Sequence, residues 1–144
     1  MKLLLAAMAL FIATLSAQAQ EEEMVYRSEI PSKARSFLSN FRSPFHHAVR
    51  EIDETKTTYD IVLNDKTEIK FSENGLWTLV DGKGKAIPYK FLGKFVKEYL
   101  QTNHADAVVT RIERCNSVCK VALSNGEGLK FQFDANGTLL AANP

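Results

Sequence analysis

The chain has few of the features that usually reveal a catalytic or nucleotide-binding protein. Its 144 residues include only 2 cysteines, 1 tryptophan and 4 prolines. No Gly-x-Gly-x-x-Gly motif or phosphate-binding loop is present, and no serine, cysteine or threonine lies in a nucleophile elbow. The two cysteines are not spaced as Cys-x-x-Cys, which argues against a redox-active pair. These absences favour a protein without catalytic residues and without a cofactor.

The chain also lacks an excess of charge of either sign. Lys2 is the only charged residue among residues 1–19, and removing it from the 18 lysines and arginines leaves 17, equal to the 17 aspartates and glutamates. Domains that bind nucleic acids usually carry a strong net positive charge or a dense basic stripe. Because neither is present, we predict no nucleic-acid partner.

Long apolar runs are missing except at the N-terminus, where residues 3–15 are almost wholly apolar. A positive first segment, an apolar core and small residues at positions 17–19 are the three parts of a secretory signal peptide. The run is shorter than the about 20 residues of a membrane-spanning helix, although a retained anchor helix stays the alternative. We predict that residues 1–19 are a signal peptide cleaved near Ala19, and that the mature protein is periplasmic or secreted, without a transmembrane span.

Two segments have the spacing of apolar residues that is typical of amphipathic helices. The first follows Ile30-Pro31 and the second follows Ile87-Pro88. The apolar positions of the first are Ala34, Phe37, Leu38 and Phe41, and those of the second are Phe91, Leu92, Phe95, Val96, Tyr99 and Leu100. The second stripe is wider and longer, so we predict that the second helix is the better buried.

Each helical segment is followed by short runs in which apolar and polar residues alternate, as in strands with one covered face. Turn signals separate these runs, at Asn64-Asp65 and Asn74-Gly75 and again at Asn125-Gly126 and Asn136-Gly137. We predict an α+β fold of two tandem repeats, residues 30–81 and 87–144, each with one helix followed by about four antiparallel strands. Residues 20–29 are predicted to be an extended lead-in and residues 82–86 a linker, with both helices on one face of a curved sheet.

The order of these features resembles the PepSY-like family of exported bacterial proteins, described as having the fold of the β-lactamase inhibitor protein. The resemblance rests on Ile-Pro before a short helix, asparagine-containing hairpin turns, an apolar-Lys-Phe motif, and Asn-Gly followed by Leu-Trp or Thr-Leu. It covers residues 30–140. It implies a tandem module with a helical layer on an antiparallel sheet and no catalytic machinery. Inhibition is not implied, because a shared fold does not carry a shared function.

The cysteines and histidines are the candidates for covalent bonding and metal binding. In an exported chain a disulfide between Cys115 and Cys119, at a predicted hairpin tip, is the first hypothesis, with two free thiols as the alternative. The predicted register does not place the two directly opposite each other unless a bulge intervenes. His46 and His47 should point to opposite faces of a strand, and with His104 they are interpreted as ordinary loop or strand residues. We therefore predict no metal site.

The polar face of the sheet is the most interesting predicted surface. It should carry Glu51, Asp60, Lys70, Arg111, Lys120 and Lys130, which are the candidates for contact with a partner. Trp77 is expected to be packed or half-buried rather than a binding hot spot. The leading hypothesis is a non-enzymatic exported binding module, similar to an inhibitor, that presents this face and its hairpin tips to an envelope or periplasmic protein. The alternatives are a small-ligand carrier with a pocket between sheet and helices, and an accessory structural protein of the envelope.

Overall fold

A computed structural model describes residues 20–124 and 128–143. The predicted signal peptide and the predicted turn at Asn125-Gly126 lie outside these ranges. In chain order the elements are β1 (Glu21–Val25), α1 (Ser32–Phe37), β2 (Phe45–Ile52), β3 (Thr57–Leu63), β4 (Glu68–Ser72), β5 (Trp77–Asp81), α2 (Lys94–Asn103), β6 (Val108–Cys115), β7 (Val118–Ser124), β8 (Lys130–Phe133) and β9 (Leu139–Ala142). Single 3₁₀ turns lie at Arg27–Glu29 and Leu38–Asn40.

The strands of the described chain form one antiparallel sheet of nine, in the order β1 to β9. The predicted fold class, two tandem repeats each with one helix and about four strands, is therefore wrong. The sheet continues across the middle of the chain, because residues 79–81 of β5 pair with residues 111–113 of β6. Residues 21–25, predicted to be part of a lead-in, pair with β2 along their whole length and add a further strand. The helices are short, with 6 residues in α1 and 10 in α2.

The segment after β5 is hydrogen-bonded to β6 instead of separating two halves. The amide of Gly82 donates a hydrogen bond to the carbonyl of Thr110 at 2.9 Å, and the amide of Ile87 donates one to the carbonyl of Val109 at 2.9 Å. Between them, the amide of Lys85 donates to the carbonyl of Gly82 at 3.1 Å. A Cβ atom on Gly82 would lie 2.3 Å from the backbone carbonyl oxygen of Lys85 and 2.7 Å from Cγ2 of Ile87, so the turn requires a glycine. The sheet therefore has no gap here, and the assignment of residues 82–86 as a linker stays a prediction.

One face of the sheet carries a continuous row of apolar side chains. Residues that pair across strands point to the same face. The register from β1 to β8 joins Val25, Ala48, Ile61, Ile69, Val80, Ile112, Val121 and Phe131, and all of them are buried. The predicted alternation of apolar and polar residues is confirmed in β3, β4, β7 and β8. The row of buried side chains forms the floor of the core.

Both helices pack on this apolar face. The ring of Phe37 at the end of α1 meets Phe71 of β4 edge-on, with ring centroids 5.6 Å apart. The ring of Tyr99 in α2 meets Phe131 and Phe133 of β8, with centroids 5.6 and 5.4 Å away. The opposite face of the sheet is therefore left to solvent.

Each helix is shorter than its apolar stripe. In α1 the last turn tightens into the 3₁₀ turn Leu38–Asn40, where the side-chain amide of Asn40 donates to the carbonyl of Phe37 at 2.8 Å. Such side-chain bonds compete with helix continuation. The second helix begins only at Lys94, and Phe95 is 62% exposed. The prediction of a better buried second helix is wrong at Phe95, and the late start of α2 leaves the end of the sheet beside Trp77 partly uncovered.

Candidate functional site

The face of the sheet opposite the helices carries all six side chains that the sequence indicated as partner contacts. One row of cross-strand partners, from β3 to β8, consists of Asp60, Lys70, Leu79, Glu113, Lys120 and Gln132. The neighbouring row, from β4 to β8, consists of Glu68, Asp81, Arg111, Ala122 and Lys130. Glu51 lies on the same face, two residues from Val49, which pairs with Asp60. We call this surface the polar sheet face.

Carboxylates dominate the part of the polar sheet face that β3, β4 and β5 form, and two lysines bridge them. Nζ of Lys70 lies 3.3 Å from Oδ2 of Asp60 and 3.5 Å from Oε1 of Glu68. Nζ of Lys83 lies 2.6 Å from Oε2 of Glu68 and 3.3 Å from Oδ2 of Asp81. Exposed ion pairs contribute only about 0–1 kcal/mol each. The network therefore orders these side chains more than it stabilises the fold.

The environment of Asp60 favours its protonated form. Burial of the carboxyl and the neighbouring charge of Glu68 raise the pKa of Asp60 to about 6, although the charge of Lys70 opposes them. Within the described residues, Oδ1 of Asp60 is buried and has no hydrogen-bond partner. Burial also acts to raise the pKa of Glu68, but the hydrogen bond and charge of Lys83 outweigh it and hold that pKa below its usual value.

An ion pair connects the two middle strands of the polar sheet face. Nη1 of Arg111 on β6 donates to Oδ2 of Asp81 on β5 at 2.7 Å. Oδ1 of Asp81 accepts a hydrogen bond from the amide of Lys83 at 2.8 Å. Burial acts to raise the pKa of Asp81, but the bonds from Lys83 and the charges of Lys83 and Arg111 lower it overall. Asp81 is thus a fixed anion at the centre of the face.

Basic residues dominate the part of the face that β6, β7 and β8 form. They surround a hollow of about 270 Å³ lined by Arg111, Glu113, Lys120, Val121, Ala122, Lys130 and Phe131. Nη2 of Arg111 lies 3.9 Å from Oε2 of Glu113, which is the only acidic residue in this lining. Among the described residues, Lys120 and Lys130 have no ion-pair partner. We call this the basic hollow; within the described part of the chain, Lys120 and Lys130 give it positive charge that no carboxylate neutralises.

The two cysteines are free thiols that do not face each other. The β6–β7 hairpin has a two-residue turn at positions 116 and 117, both with positive φ, and it pairs Cys115 with Val118 and Cys119 with Arg114. Successive residues of a strand point to opposite faces. Cys115 therefore lies on the polar sheet face and Cys119 on the other, so this structure lacks the predicted disulfide.

The histidines are arranged differently from the sequence-based expectation. A register shift between Phe45 and His47 brings Nδ1 of His46 within 2.7 Å of Nδ1 of His47, so the prediction that the rings point to opposite faces is wrong. His104 packs against the ring of Phe131, with centroids 4.6 Å apart. Over residues 20–124 and 128–143, no group of three or more His, Cys, Asp or Glu residues is positioned to hold a metal ion.

Trp77 is half-buried, as predicted, and has two different surroundings. One side of the indole stacks on Phe37, with centroids 6.0 Å apart, and meets Phe91 edge-on at 5.3 Å. The guanidinium carbon of Arg114 lies 4.5 Å from the ring centroid. Trp77 also lines a second, larger concavity, whose walls come from four segments far apart in the chain. The sequence offered a pocket between sheet and helices as an alternative, but it did not indicate these lining residues.

Comparison with protein families gives a match over residues 57–141 to the PepSY-like family, whose description is beta-lactamase-inhibitor-like. The chain belongs to this family. The resemblance inferred from the sequence is confirmed at the level of the family, and the family description names no enzymatic activity. No curated protein matches the chain. Of the helices in the described part of the chain, none has the length and apolar character needed to cross a membrane.

Crystal structures of Bacteroides proteins share the fold. A periplasmic protein of the DUF2874 family from Bacteroides vulgatus is 26% identical with a TM-score of 0.78, covering 86% of this chain and 98% of its own. A Bacteroides thetaiotaomicron protein, provisionally named a calcium-regulated periplasmic protein, is 25% identical with a TM-score of 0.78. The match covers 85% of this chain and 97% of that protein. A Bacteroides vulgatus protein, provisionally named a periplasmic protein of unknown function, is 26% identical with a TM-score of 0.77. The match covers 86% of this chain and 100% of that protein.

Proposed function

We propose that the mature chain is a non-catalytic periplasmic protein that binds another periplasmic or envelope protein through the polar sheet face. The similar Bacteroides structures, named as periplasmic proteins, support the location. The observation that carries the binding role is the basic hollow, where Lys120 and Lys130 lie without ion-pair partners among the described residues on a face turned away from the helices. An acidic group of the partner would occupy this hollow.

The size of the polar sheet face fits a protein partner. Adjacent strands lie about 4.8 Å apart, so the strands from β2 to β8 span about 29 Å, and a five-residue strand is about 17 Å long. The resulting area of about 500 Å² is a large part of the about 800 Å² that each partner buries in a standard interface. The hairpin tips beside the face would supply the remainder.

The distribution of charge gives the partner an orientation. The acidic part of the face, with Asp60, Glu68 and Asp81, lies beside the basic hollow on the same sheet. A partner with the opposite arrangement of charges is attracted in one orientation and repelled in the reverse one. Because fold alone does not carry function, we propose a partner other than a β-lactamase despite the description of the family.

Charge reversal tests this function. The variant Lys120→Glu/Lys130→Glu should retain at most one tenth of the periplasmic partner that the wild-type protein captures, measured by quantitative mass spectrometry. The matched control Lys33→Glu/Lys90→Glu makes the same change in net charge at exposed positions in α1 and before α2, and it should capture the partner normally. Equal capture by the wild type and both variants would refute the proposal, as would loss of the partner from the control variant alone.

A further inference from the structure

A large groove lies on the helix-bearing face, at the end of the sheet that α2 does not reach. It has a volume of about 880 Å³ and is formed by the start of β5, the chain before and within the first turn of α2, the tip of the β6–β7 hairpin and the β8–β9 turn. Its aromatic side chains are Trp77, Phe91 and Phe95. Leu76 and Phe95 are 49% and 62% exposed, which is unusual for large apolar residues on the covered side of a sheet. We call this the aromatic groove.

The charged residues of the aromatic groove leave it positive. Arg114 is held in place, because its Nη2 donates to the carbonyl of Trp77 at 3.0 Å while its guanidinium lies over the indole ring. Lys94 lines the same groove at the start of α2, where its Nζ also lies 3.7 Å from Oε1 of Glu98, an exposed pair that contributes little. The only acidic residue in the lining, Asp134, uses Oδ1 to accept hydrogen bonds from the amides of Asn136 and Thr138, both at 2.9 Å. An apolar wall with two cations is complementary to an apolar anion.

The lining also indicates that the ligand is small. Of the strands that border the groove, β7 and β8 are paired on both sides. The pairing of β5 with β6 ends at Leu79 and Glu113, and the carbonyl of Trp77 beyond it accepts a hydrogen bond from Arg114. A bound peptide would find only this short unpaired stretch at the start of β5 and the end of β6, which is too short for the strand pairing by which extended peptides usually gain affinity. The volume lies within the about 300–1,000 Å³ of typical small-molecule sites. A ligand with an apolar body and few hydrogen-bonding groups suits these walls.

We infer that the aromatic groove binds a small amphipathic anion, with its apolar body against Trp77, Phe91 and Phe95 and its carboxylate on Arg114. Lys94 adds positive charge at the same site. The five donors of a guanidinium allow Arg114 to keep its bond to the carbonyl of Trp77 and still bind a carboxylate. The groove lies on the opposite side of the sheet from the polar sheet face, so this inference does not rest on the proposed function.

Dodecanoate, used below the concentration at which it forms micelles, is the probe. Calorimetry of the mature protein should show saturable binding at one site, with a change in the fluorescence of Trp77, the only tryptophan. Because hydrogen bonds to charged groups contribute about 1.5–3 kcal/mol, Arg114→Gln should weaken binding at least tenfold. Lys94→Gln, at an exposed position, should weaken it less and serves as a second variant if Arg114→Gln does not fold. Lys120→Gln, on the other face, should bind dodecanoate normally.

The cysteines provide an independent measure of where the ligand sits. Cys119 lines the aromatic groove and Cys115 does not. Burial raises the pKa of Cys119 to about 11, so its thiol reacts slowly with iodoacetamide, whereas Cys115 is exposed. Dodecanoate should slow the alkylation of Cys119 further and leave the rate at Cys115 unchanged.

Four outcomes would overturn the inference. These are no binding of dodecanoate, equal binding of dodecyltrimethylammonium, no protection of Cys119, and unchanged affinity in both the Arg114 and the Lys94 variants. Binding of the apolar peptide acetyl-Leu-Phe-Leu without binding of dodecanoate would also overturn it and would assign the groove to peptides. None of these results depends on whether the polar sheet face binds a protein.

Discussion

Replacing Asp60 by asparagine should stabilise the protein at neutral pH, which is unusual for the removal of one partner of an ion pair. The pKa of the folded carboxyl is about 6, against the ordinary value of 3.8. Between about pH 4 and pH 6 the unfolded chain releases this proton while the folded protein keeps it. The folded state then binds more protons, so the free energy of unfolding falls as the pH rises through this interval.

The size of the effect follows from the surroundings of Asp60. The full difference in pKa, about 2 units, corresponds to an upper limit of about 3 kcal/mol. The side chain is 21% exposed, so screening by solvent reduces this cost, while the attraction to Lys70 at 3.3 Å is already contained in the pKa of about 6. We therefore expect Asp60→Asn to be about 1 kcal/mol more stable than the wild type at pH 7.5. At pH 5.0, halfway through the interval between the two pKa values, about half of this difference should remain.

Urea unfolding at the two pH values measures the difference. With a slope of about 2 kcal/mol per molar urea, 1 kcal/mol moves the midpoint by about 0.5 M. Asp53→Asn is the control: Oδ1 of Asp53 accepts hydrogen bonds from the amides of Thr55 and Lys56, which lower its pKa. The stabilisation that these hydrogen bonds give to the Asp53 carboxylate is present above about pH 4 and is lost only at lower pH. The Asp53→Asn variant should therefore be destabilised equally at pH 5.0 and pH 7.5. If Asp60→Asn is less stable than the wild type at pH 7.5, attraction to Lys70 outweighs burial and the reasoning fails.

Three further predictions concern packing, the turn after β5 and the thiols. Phe71→Ala should lower the free energy of unfolding by about 3–5 kcal/mol, because Phe71 is fully buried. Phe95→Ala, at an exposed site, should change it by less than about 0.5 kcal/mol. If urea unfolding showed similar losses for the two variants, the placement of the core would be contradicted. Gly82→Ala should cost about 1–3 kcal/mol by overpacking against the carbonyl oxygen of Lys85 and against Ile87. Gly93→Ala, where a Cβ atom would have no atom within 4 Å, should change the free energy of unfolding by less than about 1 kcal/mol, since only the N-cap of α2 is affected. Both cysteines should be alkylated without prior reduction, as read by mass spectrometry, and a mass 2 Da lower that resists alkylation would show the disulfide instead.

The local features of the fold could be predicted because each depends on neighbouring residues. The alternation of Tyr59, Ile61 and Leu63 on one side of β3 was sufficient to assign the buried face, and the same alternation placed Asp60 on the polar sheet face. The turn at Asn74-Gly75 forms as predicted, with φ of 75° at the glycine. Patterns with a period of two therefore indicated both the core and the candidate binding face correctly.

The wrong predictions concern contacts between residues far apart in the sequence. The division into two repeats failed because Asp81 pairs with Arg111 across the intervening α2, and no local pattern indicates such a pairing. The first strand has no alternation at all, since its Glu21, Glu22 and Glu23 are exposed and it is held mainly by backbone bonds to β2. Charged residues of this kind are typical of an edge strand that must not pair with other molecules.

The aromatic groove could not be predicted for a related reason. The stripe from Phe91 to Leu100 has the spacing of one continuous buried helix, but the helix begins at Lys94. The spacing does not indicate that the helix begins only after Gly93. It also does not indicate that the β8–β9 turn lies against Phe95. A Cβ atom on Gly137 in that turn would lie 2.8 Å from Cβ of Phe95, so the close approach requires a glycine.

Site-specific photo-crosslinking in the native periplasm tests the central claim, that the polar sheet face is the binding surface, most directly. A benzophenone amino acid is placed at Gln132, in the middle of the polar sheet face, and in a second protein at Ser36, exposed on α1. The account predicts one dominant cross-linked protein from position 132, reduced at least tenfold by Lys120→Glu/Lys130→Glu, and little cross-linking from position 36. A dominant product from position 36 alone, or one from position 132 that the charge reversal leaves unchanged, would contradict it.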